Sequence, residues 1–403
     1  MRPNAHEYAD CGARRRPDGW AGLMHIGVHG LRLTGQRFGV GRYVEYMLKH
    51  WDRQLRADER VTVFTRGDVN REGLPADGRV VLRRLRPDLN GTIWENGPLA
   101  RAAREVDVLF CPSYTAPLNG RTPLVVVTHS VDEAHPGTHS WWHNHTRAKL
   151  YRAAARRGHA VVVPAAETRD AVEHLYGVPS ERIHLIPLGV DTEVFRPLDP
   201  HDPSIEAARR RYLGGDHPYV LFVGKMSRRR NVPLLLRAFA RLKAEGAPHK
   251  LLIFGPNHEE LPLASLVAEL RLDGEVVQDD GRIGSHQELV PIYCGADALI
   301  QPTTYDSSSL PVTEALACGV PVVTMAIPGM VDSCGDAALL LDNWTPELLA
   351  ATLWRVFREP ALKATLARKG RARAEGRSWP HLAGAALEVV RRVAREAAGN
   401  RVR

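Results

Sequence analysis

A chain of 403 residues exceeds what one hydrophobic core usually supports, which predicts two domains. Its 44% hydrophobic and 25% charged residues are globular proportions, and the absence of any long apolar run excludes a transmembrane helix. The net charge of +8 suits an anionic small substrate, an anionic membrane face or nucleic acid, but no nucleic-acid-binding motif accompanies it.

Residues 1–23 lack the apolar core of a signal peptide and read as a disordered extension, with Met24 as an alternative start. Short apolar runs of the buried parallel type follow: MHIGVHG (24–30), RVTVFT (60–65), VDVLF (106–110), PLVVVTH (123–129), AVVVP (160–164) and IHLIPLG (183–189). Between the first two, Val44, Met47, Leu48, Trp51 and Leu55 recur at helical spacing. The pattern restarts after about residue 215 with YVLFVG (219–224), KLLIFG (250–255), EVVQ (275–278), DALIQP (297–302) and VPVVTM (320–325), again separated by helical segments. Strand–helix alternation of this kind predicts α/β architecture with parallel sheets covered by helices. Its repetition around a polar, proline-containing stretch predicts two Rossmann-like domains, 24–198 and 215–380, facing across a cleft. Ligands are then expected beyond the carboxyl ends of the strands. Cys11, Cys111, Cys294, Cys318 and Cys334 are scattered and lack metal-type spacing, as in a cytoplasmic protein with reduced thiols.

Two loops carry the chemistry. Strand YVLFVG ends in Gly224-Lys225 and runs into MSRRRN, so that Lys225, Arg228, Arg229 and Arg230 lie beyond a strand end and before a helix. Such a loop can hold a diphosphate through guanidinium forks and a helix N-terminus; the alternative is a solvated basic loop. Strand DALIQP leads into YDSSSLPVTEALACG (305–319), where Pro311 suits the first turn of a helix and Gly319 its end. Glu314, expected in the first turn of that helix, can accept hydrogen bonds from both hydroxyls of a vicinal diol, as in a ribose. Asp306 before it can hold a second polyol, and the serine hydroxyls and free amides between them can bind hydroxyl or phosphate oxygens. Taken alone, a capped helix with a dipole-favoured Glu reads equally well.

The order of these features resembles that of retaining GT-B glycosyltransferases of family 4 (glycosyl transferases group 1). VLFVGKMSRRRNVPLLLRAF is similar to that family's first C-domain strand and loop, and QELVPIYCGADALIQPTTYDSSSLPVTEALACGVPVV to its donor-binding signature. GVGRYVEYML, IPLGVDTEVFRP and RSWPHLAGAALEVV extend the likeness over roughly residues 24–395. The resemblance implies a C-terminal helix (about 381–403) crossing back to the N-domain. It implies that Glu314 holds the nucleotide ribose, and that Lys225, after Gly224, and Arg230 bind the donor diphosphate and stabilise the leaving group. It places Arg282 and Ile283 around the base, and Gly39 and Gly41, in the glycine loop after the first strand, near donor phosphate and acceptor. Asp306, Ser307, Ser308, Ser309 and Leu310 fall at the donor sugar, with His129 beside it. Asp132, Glu133, Glu95 and Trp141 are candidates for acceptor contact.

The chain departs from the family where Glu-Gly-aromatic-Gly is usual, reading Asp306-Ser307-Ser308-Ser309. The aspartate is shorter by one methylene, about 1.5 Å at full extension, and the loss of both glycines restricts the backbone around the sugar. The departure bears on which donor sugar fits more than on the reaction. Ala165 likewise stands where a serine commonly follows the fifth N-domain strand. His135, His139, His143 and His145 lack a paired carboxylate or cysteine framework, so no metal site is assigned. The resemblance implies retaining transfer of a hexose-type sugar from a nucleoside diphosphate, UDP favoured over GDP, without cofactor or metal. The acceptor is read as a small polar molecule, for instance an aminocyclitol or aminoglycoside-type natural product of antibiotic biosynthesis, with lipid-linked or polysaccharide acceptors as the alternative. A catalytically silent nucleotide-sugar-binding protein is the alternative of another class. The expected protein is a cytoplasmic monomer or homodimer without nucleic-acid partner or stable membrane insertion.

Overall fold

Strand β1 (Met24–His29) pairs in parallel with β2 (Glu59–Thr65) on one side and β4 (Val108–Cys111) on the other. With β3 (Val80–Arg84), β5 (Leu124–Val127), β6 (Ala160–Val163) and β7 (Ile183–Leu185) they form a seven-stranded sheet in the order β3-β2-β1-β4-β5-β6-β7. The second sheet has six strands in the order β10-β9-β8-β11-β12-β13. These are β8 (Tyr219–Val223), β9 (Lys250–Phe254), β10 (Val276–Asp279), β11 (Ala298–Gln301), β12 (Val322–Met325) and β13 (Leu339–Leu341). Every pairing between these strands is parallel. The computed structural model describes residues 23–402 apart from 36, 38, 77, 136–140 and 258, so the N-terminal extension read from the sequence lies outside the described residues.

Burial explains the strands. In β8, Val220 and Phe222 join one core while Tyr219, Leu221 and Val223 join another, as the two-residue period of a doubly covered strand requires. Two strands escape the sequence pattern. β3 (VVLRR) is a half-buried edge whose Arg83 and Arg84 pair with Glu105, Asp68 and Asp88. β13 is three half-buried leucines at the opposite edge of the second sheet.

The described residues of 23–131, 141–186 and 379–402 form one unit, and those of 132–135 and 187–378 the other. Residues 187–198, which the sequence reading ran on from the first domain, pack with the second unit. There Phe195 meets Tyr293 edge to face, and the Val190 amide donates to the Arg377 carbonyl. The first unit is completed by the long helix Trp379–Val402. The Trp51 indole donates to the Ala383 carbonyl (2.8 Å), Tyr46 stacks on Trp379, and Arg391 grips buried Glu59 through two nitrogens (2.7 and 2.6 Å). The helix expected from Gly41 runs Gly39–Gln54, with Val44, Met47, Leu48 and Trp51 all buried. Among the described residues no helix is long and apolar enough to cross a membrane.

Candidate active site

Each sheet ends in a cluster of polar side chains at its carboxyl edge. In the second unit, β8 stops at Gly224, whose amide donates to the Phe254 carbonyl. Gly224 and Gly255 both have positive φ (139° and 151°), and a Cβ on Gly255 would collide with the Gly224 carbonyl. The two strand ends can therefore approach this closely only with a glycine at 255. Lys225 follows, exposed at the strand end. Arg228–Arg230 form one 3-10 turn, and left-handed Asn231 (φ 49°) redirects the chain into the helix Val232–Ala244.

That turn folds against the Asp306 loop. Arg229 donates to the Tyr305 carbonyl (2.8 Å), and the Thr304 amide donates back to the Arg229 carbonyl (2.8 Å). Arg230 Nη1 lies 2.7 Å from Asp306 Oδ2, and Arg229 Nη1 3.6 Å from Oδ1. The sequence reading gave Arg230 to the diphosphate and Asp306 to the sugar; the structure pairs the two with each other. Burial lowers the Arg230 pKa to about 10, with the Asp306 carboxylate opposing and Arg229 adding to the drop. Arg230 stays charged at neutral pH, and its charge is poorly screened.

The helix Leu310–Ala317 starts directly after this pair, with Leu310 buried in its first turn. Ser309 at its N-cap makes no capping bond. Among the described residues, neither Ser308 Oγ nor Ser309 Oγ has a hydrogen-bond partner although both are buried. Unused buried hydroxyls at a helix start are costly unless a ligand completes them. Ser307 is buried, and the close approach of Gly329 to the Asp306 carbonyl fixes the loop from below. Glu314, expected in the first turn, lies beyond it because the helix already begins at Leu310; it is 1% exposed and accepts from the Tyr293 hydroxyl at 2.8 Å. Ile283 packs on the core beneath, while Arg282 stands in solvent 3.9 Å from Asp280. The turn Asp132–Ala134 groups with this unit, as does His135, whose ring stacks on Tyr305 (3.8 Å between centroids). Glu133 is buried and Asp132 half-buried.

In the first unit, His129 is buried with its edge on Tyr43 and Tyr114. Its Nε2 donates to the Pro112 carbonyl (2.8 Å), so the ring hydrogen sits on Nε2. Burial holds its pKa down to about 4, against the Pro112 bond and helped by the Arg32 charge, so the ring is neutral at pH 7. Nearby Tyr114 is left-handed (φ 67°) and its hydroxyl shares a hydrogen bond with Ser130. Glu95 opens a π-helical turn, is 5% exposed, and accepts from Thr115 Oγ1 at 2.6 Å. Burial raises its pKa, with the Thr115 bond and the charges of Arg32 and Arg147 opposing. Gly39 and Gly41, expected in a loop, stand in the first turn of the helix Gly39–Gln54. Gly41 there lies tight under the Arg32 carbonyl. Trp141 begins the helix Trp141–Arg157, and its side chain lies outside the described residues, as do the side chains of His143 and His145 and all of His139. Among the described residues no group of three or more His, Cys, Asp or Glu side chains is placed to hold a metal ion.

Three polar residues in these clusters were not singled out from sequence. Tyr293 and Gln301 sit in an apolar helix and an apolar strand, and His29 closes β1 3.5 Å from Glu95. Only strand-end position hinted at His29 and Gln301; nothing marked Tyr293.

Residues 39–194 match the family model described as Glycosyltransferase Family 4, and residues 217–359 that described as Glycosyl transferases group 1. The chain is 30% identical over 298 residues to a D-inositol 3-phosphate glycosyltransferase of Kineococcus radiotolerans, covering 64% of this chain and 67% of the relative. It is 29% identical to an MMP alpha-(1->4)-mannosyltransferase of Mycolicibacterium hassiacum, covering 68% and 67%. Across these and similar curated relatives the chain spans 52% to 67% of their length. Among solved structures, a sucrose-phosphate synthase of Thermosynechococcus elongatus superposes with a TM-score of 0.73 at 20% identity, covering 92% of this chain and 99% of the other. Anabaena HepE in complex with UDP-glucose does so with 0.72 at 17%, covering 93% and 100%. With two parallel-sheet Rossmann-like units and matches in both, the chain belongs to glycosyltransferase family 4 and has the GT-B fold.

Proposed function

We propose that the chain is a retaining hexosyltransferase that moves a sugar from a nucleoside diphosphate, UDP favoured, to a hydroxyl of a small polar acceptor. The observation that carries this reading is the convergence of Lys225, Arg230, the Ser308 and Ser309 hydroxyls and the Tyr293–Glu314 pair at one carboxyl sheet edge. Glu314, held by Tyr293, accepts from the ribose hydroxyls. Lys225 and Arg230 neutralise the diphosphate as its charge grows during departure, so two side-chain cations do what a metal ion does elsewhere. Asp306 and the serines contact the hexose. A donor phosphate oxygen takes the proton of the incoming hydroxyl on the face the diphosphate leaves, which preserves the anomeric configuration. His129, neutral and bonded to the Pro112 carbonyl, belongs to this proposal as a further candidate sugar contact. The crystal complex of HepE with UDP-glucose supports UDP as the carrier.

On the first unit, the buried Glu95–Thr115 pair, with Arg32 and Arg147 in electrostatic reach, suits a polyhydroxylated acceptor of cyclitol type. The names of the inositol phosphate relatives support the same class. Asp132 and Glu133 belong to this proposal as further acceptor contacts. We place the reaction in the cytoplasm, in keeping with the free thiols of Cys111, Cys294, Cys318 and Cys334.

The test is incubation with a panel of UDP- and GDP-hexoses without acceptor, reading slow nucleotide release. Release by the wild type that is lost in Glu314→Ala and Lys225→Ala supports the reading. Tight UDP binding without turnover of any donor would replace it with a silent sugar-nucleotide binder. The anomeric configuration of the transferred sugar, read by NMR, decides retention.

A further inference from the structure

Gln301 is the last residue of β11 and has no solvent exposure. Its side-chain amide spans two parts of the donor-side cluster. Nε2 donates to the Val223 carbonyl at 2.6 Å, the residue immediately before Gly224-Lys225. Oε1 accepts from Arg230 Nη1 at 3.3 Å. Its own carbonyl accepts from Thr324 Oγ1 (2.9 Å), which fixes the backbone from the neighbouring strand β12. A polar side chain at the end of a buried strand is expensive unless its hydrogen-bonding groups are used, and here both ends of the amide are.

We propose that Gln301 is a positioning residue for the donor diphosphate, setting the separation between the Arg230 guanidinium and the Gly224-Lys225 strand end. The inference rests on the glycosyltransferase reading above and adds to it a residue that makes no contact with substrate. Its chemistry is specific. Asp306 already supplies one carboxylate to Arg230. A second carboxylate at position 301 would take up the remaining cationic field, and an apolar side chain would leave the guanidinium free to swing. A neutral amide orients the cation without cancelling it, and at the same time ties it to the strand that presents the second cation. The effect should fall on the diphosphate and not on the nucleoside, which Glu314 holds.

The experiment uses the full chain and whichever of UDP and GDP binds more tightly, together with its monophosphate, by titration calorimetry. Gln301→Met keeps the volume and removes the amide; Gln301→Glu keeps the shape and adds charge. The expected result is a loss of diphosphate affinity of about fivefold to tenfold for the methionine variant and a larger loss for the glutamate variant. Monophosphate affinity should change less than about twofold. In an Arg230→Ala background, Gln301→Met should change diphosphate affinity less than about twofold, because the residue acts through that cation. An equal loss of both nucleotides, an undiminished effect in the Arg230→Ala background, or failure of both variants to fold makes Gln301 a structural residue and overturns the proposal. A wild type that binds neither diphosphate would instead remove the reading on which it rests.

Discussion

The Tyr293 hydroxyl donates to Glu314 Oε2 over 2.8 Å inside a core that leaves the tyrosine unexposed and the glutamate 1% exposed. A carboxylate so enclosed is oriented before any ligand arrives, and its geometry is inherited from a neighbouring helix.

Glu314→Ala should therefore lower nucleotide affinity by about tenfold or more, since hydrogen bonds to a charged group contribute about 1.5–3 kcal/mol. Tyr293→Phe removes only the orienting bond and should lower affinity by a smaller factor, with turnover per bound donor retained. Calorimetry with UDP or GDP measures both. Equal losses in the two variants would mean that the tyrosine touches the nucleotide itself.

Asp306→Glu introduces the longer side chain that the family resemblance implies at this position and moves the carboxylate outward by about 1.5 Å. We expect the preference among UDP-hexoses in the hydrolysis assay to shift, with UDP affinity kept within about threefold. An unchanged donor profile would show that Asp306 serves Arg230 alone.

Gly255→Ala places a methyl group against the Gly224 carbonyl at a φ of 151°. Strain of this type costs about 1–3 kcal/mol, so the melting temperature should fall by several degrees. The displaced strand end carries Lys225, so donor hydrolysis should fall beyond what the lost stability explains. A variant with wild-type melting and turnover would contradict the close approach of the two glycines.

Acid should destabilise the first unit well above the carboxylate range. His29 and His129 are both held to about 4 from 6.5, chiefly by burial, with the Arg32 charge adding to it and hydrogen bonding to backbone opposing. Because the unfolded chain binds these protons first, stability is complete above about pH 6.5 and falls as pH drops toward 4. Between pH 7 and 5 the loss is about 2 kcal/mol per histidine. Urea titrations at the two pH values measure it. The slope should shrink in His29→Gln and in His129→Gln; an undiminished slope in both would assign the effect to other groups.

The parallel strands were legible because strands buried on both faces leave continuous apolar runs, as in YVLFV and KLLIF. β3 was not, because an edge strand satisfies one side with arginines and solvent and so writes no such run. The glycine, lysine and arginines of the loop 224–230 announced themselves by their place after a strand. Their mutual geometry did not. That Arg230 is spoken for by Asp306 and Gln301 depends on two strand ends brought side by side in β8 and β11, a relation no local pattern encodes. Likewise nothing in LVPIYC distinguishes Tyr293 from an ordinary core aromatic; its hydroxyl acquires meaning only when the Leu310–Ala317 helix packs opposite.

The helix Trp379–Val402 closes the unit that begins at β1, and the Glu59–Arg391 pair joins positions 332 residues apart. During synthesis the first sheet to emerge thus waits for the last helix, while the second unit, apart from the turn at 132–135, is continuous in sequence and available earlier. The order of birth and the order of completion are reversed. Until that helix arrives, Trp51, Tyr46 and the Glu59 carboxylate lack the partners that cover them. The nascent first unit therefore keeps these groups uncovered by that helix until residues 379–402 have been made.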